Sequence, residues 1–346
     1  MSRTRGLHRF GRLAAACLVA AAAAVGMSPG SSTIAADPPA KRPRIAYITN
    51  GVDPFWNIAE KGAQDAAQKF NADLEVIMPK DAADQKQKLE DLITRGVDGV
   101  AISPIDAVNQ TPLINTAAGK TKVITHDSDA PESARLLYIG MSNYDAGRMC
   151  GKLVKEAIPG GGKVAIFVGR TEQDNAKLRR QGVIDELMDR SEDPTRFDPV
   201  DQEVKGTKYT IVGTYTDQFD RAKAKRNMED TVTKHGDLAA AVGLFAYNPP
   251  LCLEGLKSQN KLGKVAVVGF DEQDGTLQAI KDGTCFGTVV QNPYMYGHES
   301  VRVLAQLARG NARVIPASKF MDIKARQIKK ENVEEFWSDL RKKTGK

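Results

Sequence analysis

Five short apolar runs, each ending in a polar side chain, narrow what this chain can fold into. The sharpest is Val265-Ala-Val-Val-Gly-Phe-Asp271, apolar throughout 265–268 and tipped by a carboxylate. A run without alternation reads as a strand covered on both faces. An ionised carboxylate is costly to bury without partners, so one at a strand end points into a crevice and accepts hydrogen bonds there. The pattern recurs. Ile45–Thr49 runs into Asn50 and Asp53, and Lys122–Thr125 into His126, Asp127 and Asp129. Ala240–Ala246 runs into Asn248, and Phe286–Val290 into Gln291. Such a set predicts one site lined by strand ends.

The spacing of the runs supplies the architecture. Strand-like segments start near Arg44, Asp73, Gly96 and Lys122, with amphipathic stretches at 55–70, 83–95 and 107–119 between them. This alternation signals βαβ units and a parallel sheet with helices on both faces. A second series follows. It has strands at 163–168, 209–215, 239–246, 264–269 and 286–290, and helices at 175–190, 220–234, 251–260, 273–281 and 293–309. The polar segment 191–206 reads as a loop, 313–323 as an extended piece, and 331–342 as a closing helix with Asn332 as its cap. The chain is too long for one ordinary domain, so two α/β lobes are expected.

The first 36 residues read as a signal peptide. Arg3, Arg5, Arg9 and Arg12 precede an apolar stretch, Leu13–Val25, and small residues at Ala35-Ala36 mark a cleavage site. An uncleaved anchor is the alternative. Residues 37–42 then form a short leader. Export changes the charge argument: 49 Lys and Arg stand against 43 Asp and Glu, and removing those four Arg leaves 45 against 43. With no basic stripe either, nucleic acid is not an expected partner. No other apolar run could span a bilayer, so a soluble periplasmic protein is expected. Cys150, Cys252 and Cys285 lack metal or disulfide spacing and read as buried thiols, with a Cys252–Cys285 bridge the alternative.

The motifs of catalysis are missing from the sequence. There is no Gly-x-Ser-x-Gly, P-loop, Gly-x-Gly-x-x-Gly or HExxH, and Gly160-Gly-Gly162 precedes a strand instead of following one. The histidines beyond the leader are His126, His235 and His298, and no nucleophile accompanies His126. Neither an enzyme nor a cofactor or metal site is expected. What remains is a crevice chemistry. Asp53, Asp127, Asn175, Asn248, Asp271 and Gln291 offer planar acceptors and amide donors that match adjacent hydroxyls. Phe55, Trp56 and Phe219 offer flat faces for the C–H side of a sugar ring. Each also has a structural reading. Asp53-Pro54 is a common helix start, Phe55-Trp56 serve equally as a core face, and Asp271 as a helix cap.

Ile45–Trp56 resembles the opening strand and aromatic pair of ribose-type periplasmic sugar-binding proteins. Gly96–Pro104 is similar to their third strand, and Pro159–Val168 to the start of their second lobe. Asn175–Gly182, Ala246–Pro249, Val267–Asp271 and Thr288–Pro293 follow in order, so the resemblance spans nearly all of 44–330. It implies a type I periplasmic binding protein of cluster B: two Rossmann-like, doubly wound parallel-sheet lobes joined by three crossovers. The implied lobes are 43–142 with 292–322, and 143–291 with 323–346. The implied ligand contacts are Thr49, Asp53, Phe55, Trp56, Asp127, Phe219, Asn248, Asp271 and Gln291. Two departures stand out. The Arg that follows the fourth-strand Asp in ribose binders is Ser128 here, and their first second-lobe Arg falls on Lys177, with Arg179 close by. Loss of a guanidinium fork removes rigid bidentate donors and points away from ribose itself, not from the class.

The resemblance implies a monomeric receptor that captures a monosaccharide and delivers it to an ABC transporter permease. A chemoreceptor is a second implied partner. The alternatives are a receptor for a polyol or a signalling furanosyl compound, a LacI-like regulator and a periplasmic enzyme. The regulator would need a helix-turn-helix headpiece where the leader stands. From the leader, N-terminal sequencing of protein isolated from its native cell is expected to find a start between about residues 27 and 43. Intact Met1 on cytosolic protein would contradict export.

Overall fold

The computed structural model describes residues 41–345; the leader expected at 1–36 and most of the linker to 42 lie outside them. In chain order the first part runs β1 (Arg44–Ile48), α1 (Pro54–Lys69), β2 (Asp73–Ile77), α2 (Ala82–Arg95), β3 (Gly99–Ile102), α3 (Ala107–Ala118), β4 (Lys122–His126) and β5 (Tyr138–Gly140). Helix α4 (Asn143–Ala157) leads to β6 (Gly162–Val168), α5 (Asp174–Leu187), β7 (Val204–Lys205) and β8 (Tyr209–Thr216). Then come α6 (Arg221–Lys234), β9 (Leu238–Gly243), α7 (Asn248–Ser258), β10 (Ala266–Phe270), α8 (Asp274–Asp282) and β11 (Gly287–Val290). Helix α9 (Pro293–Ala308), β12 (Phe320–Asp322), β13 (Arg326–Lys329) and α10 (Val333–Thr344) complete the chain.

The strands form two sheets. One has the order β12-β5-β4-β3-β1-β2, the other β13-β11-β10-β9-β6-β8-β7. The first is parallel throughout. The second is parallel except at its edges, where β13 and β7 run antiparallel to their neighbours. Ile45, Ala46, Tyr47 and Ile48 are all buried, as are Val164 to Val168, which explains why these runs do not alternate. The order around each first strand, β2-β1-β3 and β8-β6-β9, reverses at that strand. Such a reversal opens a crevice at the carboxyl ends of the strands, where ligands bind in sheets of this kind.

Each lobe contains two helices crossing at glycines, and these crossings place the starts of two helices that matter below. A Cβ on Gly297 of α9 would stand 1.9 Å from the Ala59 carbonyl oxygen of α1, and one on Gly62 of α1 would stand 1.9 Å from that of Tyr294. In the second lobe, Gly147 of α4 lies against the Arg179 carbonyl of α5, and Gly182 against that of Tyr144, each with 2.1 Å available to a Cβ. The pairing crosses the sequence widely. Val301, Val303 and Leu304 of α9 share one core with Ile45 and Tyr47 of β1.

The structure departs from the sequence reading at several places. The alternation pattern contains neither the three-residue β5 nor α4, which carries Gly147 at its contact with α5. The expected strand at 239–246 stops at Gly243, freeing residues 244–247 to turn. Segment 191–206 is mostly irregular but ends in the two-residue strand β7. The buried Arg180 pins it by donating to the carbonyls of Asp198 (2.6 Å) and Pro199 (3.0 Å). Asn332 precedes α10, yet its side chain accepts from the Lys329 amide instead of capping the helix. All three cysteines are free and buried, so the Cys252–Cys285 bridge is not formed.

Gly297→Ala is expected to lower unfolding free energy by about 2–3 kcal/mol, because the new methyl group meets backbone and not a movable side chain. Gly236→Ala, with nothing within 4 Å of the added carbon, serves as the near-neutral control. Urea denaturation of the two variants makes the comparison.

Candidate functional site

The ends of β4 and β10 carry the two buried carboxylates. Asp127 and Asp271 both adopt left-handed backbone, with φ of 58° and 66°. Such a conformation is uncommon outside glycine and is best tolerated by Asp and Asn. It turns each carboxylate off the strand axis into the space between the lobes. Asp271 is not the cap of α8, whose N-cap position is Gln273. Its Oδ1 accepts from Gln291 Nε2 at 2.7 Å, and Gln291 Oε1 accepts from the Tyr296 hydroxyl.

Asp127 gathers donors from two strand ends and from the other lobe. Its Oδ2 accepts from Asn50 Nδ2 (3.2 Å), Ser103 Oγ (3.2 Å) and Asn175 Nδ2 (3.1 Å). Asn175 lies in the first turn of α5, one helical turn before Arg179. The Arg179 guanidinium lies over the Phe270 ring, 4.4 Å from its centroid. Its Nε donates to Asn143 Oδ1 and its Nη1 to the Leu244 carbonyl, while Nη2 stays 3.6 Å from Asp127 without a hydrogen-bond partner. Asn175 Oδ1 is likewise buried and unpartnered. Burial pushes the Asp127 carboxyl up from its ordinary value against the pull of Arg179, and burial again takes Asp271 to about 7.

These groups line a partly open pocket with about 380 Å³ of empty space, solvent at its mouth included. Asp53, Phe55, Trp56, Asp127, Asn175, Arg179, Phe219, Asp271 and Gln291, all expected from the sequence, come together around it. Phe55 and Trp56 meet edge to face at 4.9 Å, and Phe219 stacks on Phe245 at 5.7 Å. Asn50, Phe245 and Tyr247 also line it. Asn50 is legible as a strand-end amide, whereas Phe245 is hidden in the apolar run read as strand 239–246 and Tyr247 lies one residue beyond it.

Four expected residues do not line the cavity. Thr49 turns its hydroxyl onto the Gly51 carbonyl at 2.7 Å. Ser128 is buried beside the site. Lys177 lies two positions from both Asn175 and Arg179, which puts it on the opposite side of α5. Asn248 spends both ends inside its own lobe, donating to Asp217 Oδ2 and accepting from the Phe245 amide. Arg179 supplies a guanidinium from the second lobe, whereas Ser128 supplies none at the position after the fourth-strand Asp. Asp217, unremarked in the sequence, is buried and also accepts from the Tyr247 hydroxyl. Among the described residues no group of three or more His, Cys, Asp or Glu is placed to hold a metal ion.

The periplasmic binding protein domain profile matches residues 45–312. The chain belongs to the periplasmic binding protein family. It is 28% identical to the ribose import binding protein of Salmonella typhimurium over 286 residues, covering 81% of this chain and 89% of that one. A solute-binding protein of an ABC transporter from Burkholderia graminis, solved with D-arabinose, superposes with a TM-score of 0.75 at 28% identity, covering 85% of this chain and 97% of that one. One from Agrobacterium vitis, solved with D-fucose, gives 0.75 at 25% identity, with 86% and 99% covered. Members of the family share the two-lobed α/β design described above. Among the described residues no helix is long and apolar enough to cross a membrane.

Behind the Trp56 wall, His126 stacks on Tyr47 at 4.1 Å, with its Nδ1 3.0 Å from the Tyr47 hydroxyl and its Nε2 3.1 Å from the Ile48 carbonyl. Burial lowers its pKa to about 3. Below its ordinary value the unfolded chain takes up a proton that the folded protein refuses, so this group withdraws stability as pH falls through 6.5. Asp271 acts with the opposite sign, because its raised pKa lets the folded state bind a proton first and gain stability as pH falls from 7 toward 4. Comparison with His126→Gln isolates the imidazole. The stability advantage of wild type over that variant is expected to shrink by about 2 kcal/mol between pH 7 and pH 5. Urea denaturation at both pH values measures it, and a constant difference would mean that His126 protonates normally in place.

Proposed function

We propose that this protein captures a neutral monosaccharide between its two lobes and delivers it to an ABC importer. The observation that carries the reading is the buried, unfinished hydrogen-bonding cluster between aromatic walls. Asp127 and Asp271 come from opposite sheets, and beside them Arg179 Nη2 and Asn175 Oδ1 are sealed from water without partners. Buried polar groups in native proteins are normally satisfied, and a ring bearing adjacent hydroxyls would supply both the donors and the acceptors that are lacking. Phe55, Trp56 and Phe219 would then flank its C–H faces. The relatives named above, a ribose import protein and transporter receptors solved with D-arabinose and D-fucose, support the same substrate class.

The lobes that close on the sugar are 43–142 with 292–322, and 143–291 with 323–346. The two sheets support this division, since β12 joins the first and β13 the second. The lining offers carboxylates, amides, one guanidinium and aromatic rings, which suits retention without turnover. Export to the periplasm accords with the leader pattern and with the relatives. The Thr49, Ser128, Lys177 and Asn248 side chains take no direct part in holding the ligand.

A thermal-shift screen against D-ribose, D-allose, D-xylose, D-arabinose, D-fucose and simple polyols tests the reading, since a ligand bound by the native state alone raises its stability. One of the sugars is expected to raise the melting temperature saturably and to be recovered unaltered. Asp271→Ala is expected to weaken its binding by about 2–4 kcal/mol, as a desolvated hydroxyl loses its acceptor. Trp56→Phe should remove the fluorescence change on binding while largely keeping affinity, and Trp337→Phe should leave that change intact. No response to any sugar in the panel would overturn the assignment.

A further inference from the structure

Asp53 lines the cavity, but its two oxygens are already committed. Oδ1 caps α1 by accepting from the Phe55 amide at 3.0 Å. Oδ2 accepts from Arg221 Nη2 at 2.8 Å, and Arg221 lies 168 residues away as the first residue of α6. One partner follows a strand of the first sheet and the other follows a strand of the second, so this ion pair spans the opening between them. The Arg221 guanidinium also lies over the Tyr247 ring, 5.3 Å from its centroid.

The arm that carries Arg221 is held firmly. The buried Asp217 accepts from the Phe219 amide at 2.8 Å, from the Tyr247 hydroxyl at 2.5 Å and from Asn248 Nδ2 at 2.9 Å. Gln218 and Phe219 follow it with φ of 59° and 65°, a pair of left-handed residues sustained by those bonds. One carboxylate thus presents Phe219 to the cavity and Arg221 to its rim. Arg221 itself is not among the lining residues.

We propose that Arg221 is a latch: paired with Asp53, it holds the lobes shut and slows escape of the captured molecule. The proposal rests on the capture reading above, and it reassigns Asp53 from ligand acceptor to the fixed half of the latch. A pair this accessible contributes modestly. The Arg221 side chain is 51% exposed and that of Asp53 16%, so the expected effect on a rate is about fivefold. Partial exposure also makes it sensitive to salt.

The test measures association and dissociation by stopped-flow Trp fluorescence, using the tightest-binding of the five sugars above. Arg221→Met is expected to release it about fivefold faster than wild type, with association changed by less than about twofold. Arg221→Lys should recover part of the difference, and high salt should speed release from wild type but not from Arg221→Met. A general loosening of the fold would not show that salt pattern. Small-angle scattering of the ligand-free proteins provides an independent reading, with Arg221→Met expected to have the larger radius of gyration at low salt. Release from Arg221→Met at the wild-type rate overturns the latch. If none of the five sugars binds, the capture reading fails, and scattering alone decides: equal radii for the two proteins reject the latch.

Discussion

Much of this molecule is arranged around the cost of burying the Asp127 carboxylate. A charge in that position needs compensation, and the chain provides it from the ends of β1 and β3 and, across the cleft, from α5. The strands must end at one level for Asn50 and Ser103 to reach a single oxygen. The in-register parallel pairing of Ile48 with Ile102 and of Ile102 with Thr125 achieves that. The lobes must also approach closely enough for Asn175 to contribute. One carboxylate thereby ties strand register, lobe approach and the polar floor of the cavity into a single constraint.

The two lobes solve the same problem twice with different residues. Each has a sheet that reverses order at its first strand, a strand-end Asp in left-handed backbone, and a pair of helices in contact at glycines. The glycine contacts explain how the site keeps its geometry. Helix α1 brings Phe55 and Trp56, α5 brings Asn175 and Arg179, and both are fixed by backbone contact instead of by adaptable side chains. Support behind the site is also specific, with His126 wedged between Tyr47 and the Trp56 wall.

What could be read in advance follows from the range of the interactions involved. Continuous apolar runs betrayed the central strands because burial on both faces leaves a local mark. The strand-end polar residues were legible for the same reason, and Asp127, Asp271 and Gln291 needed no knowledge of the fold to be noticed. The residues that escaped depend on geometry that spacing does not encode. Phe245 became a cavity wall only because β9 stops at Gly243 and the chain turns. Lys177 looked equivalent to Arg179 until the helical phase of α5 separated them. Asp217 is an ordinary loop residue by sequence, and its importance comes from three donors converging on it from 219, 247 and 248.

The packing of α9 against β1 and α1 has a consequence for how such a chain is made. The core around Ile45 and Tyr47 is completed by Val301, Val303 and Leu304, and the edge of the same sheet by Phe320–Asp322. The earliest strand to emerge during synthesis therefore waits for nearly the last helix. Contacts of such high sequence separation slow folding, because the closure entropy of a long loop precedes any gain from burial. The first lobe has an open apolar core for most of the time the chain is growing. Such a delay leaves the growing chain without a closed first core until nearly all of it has been made.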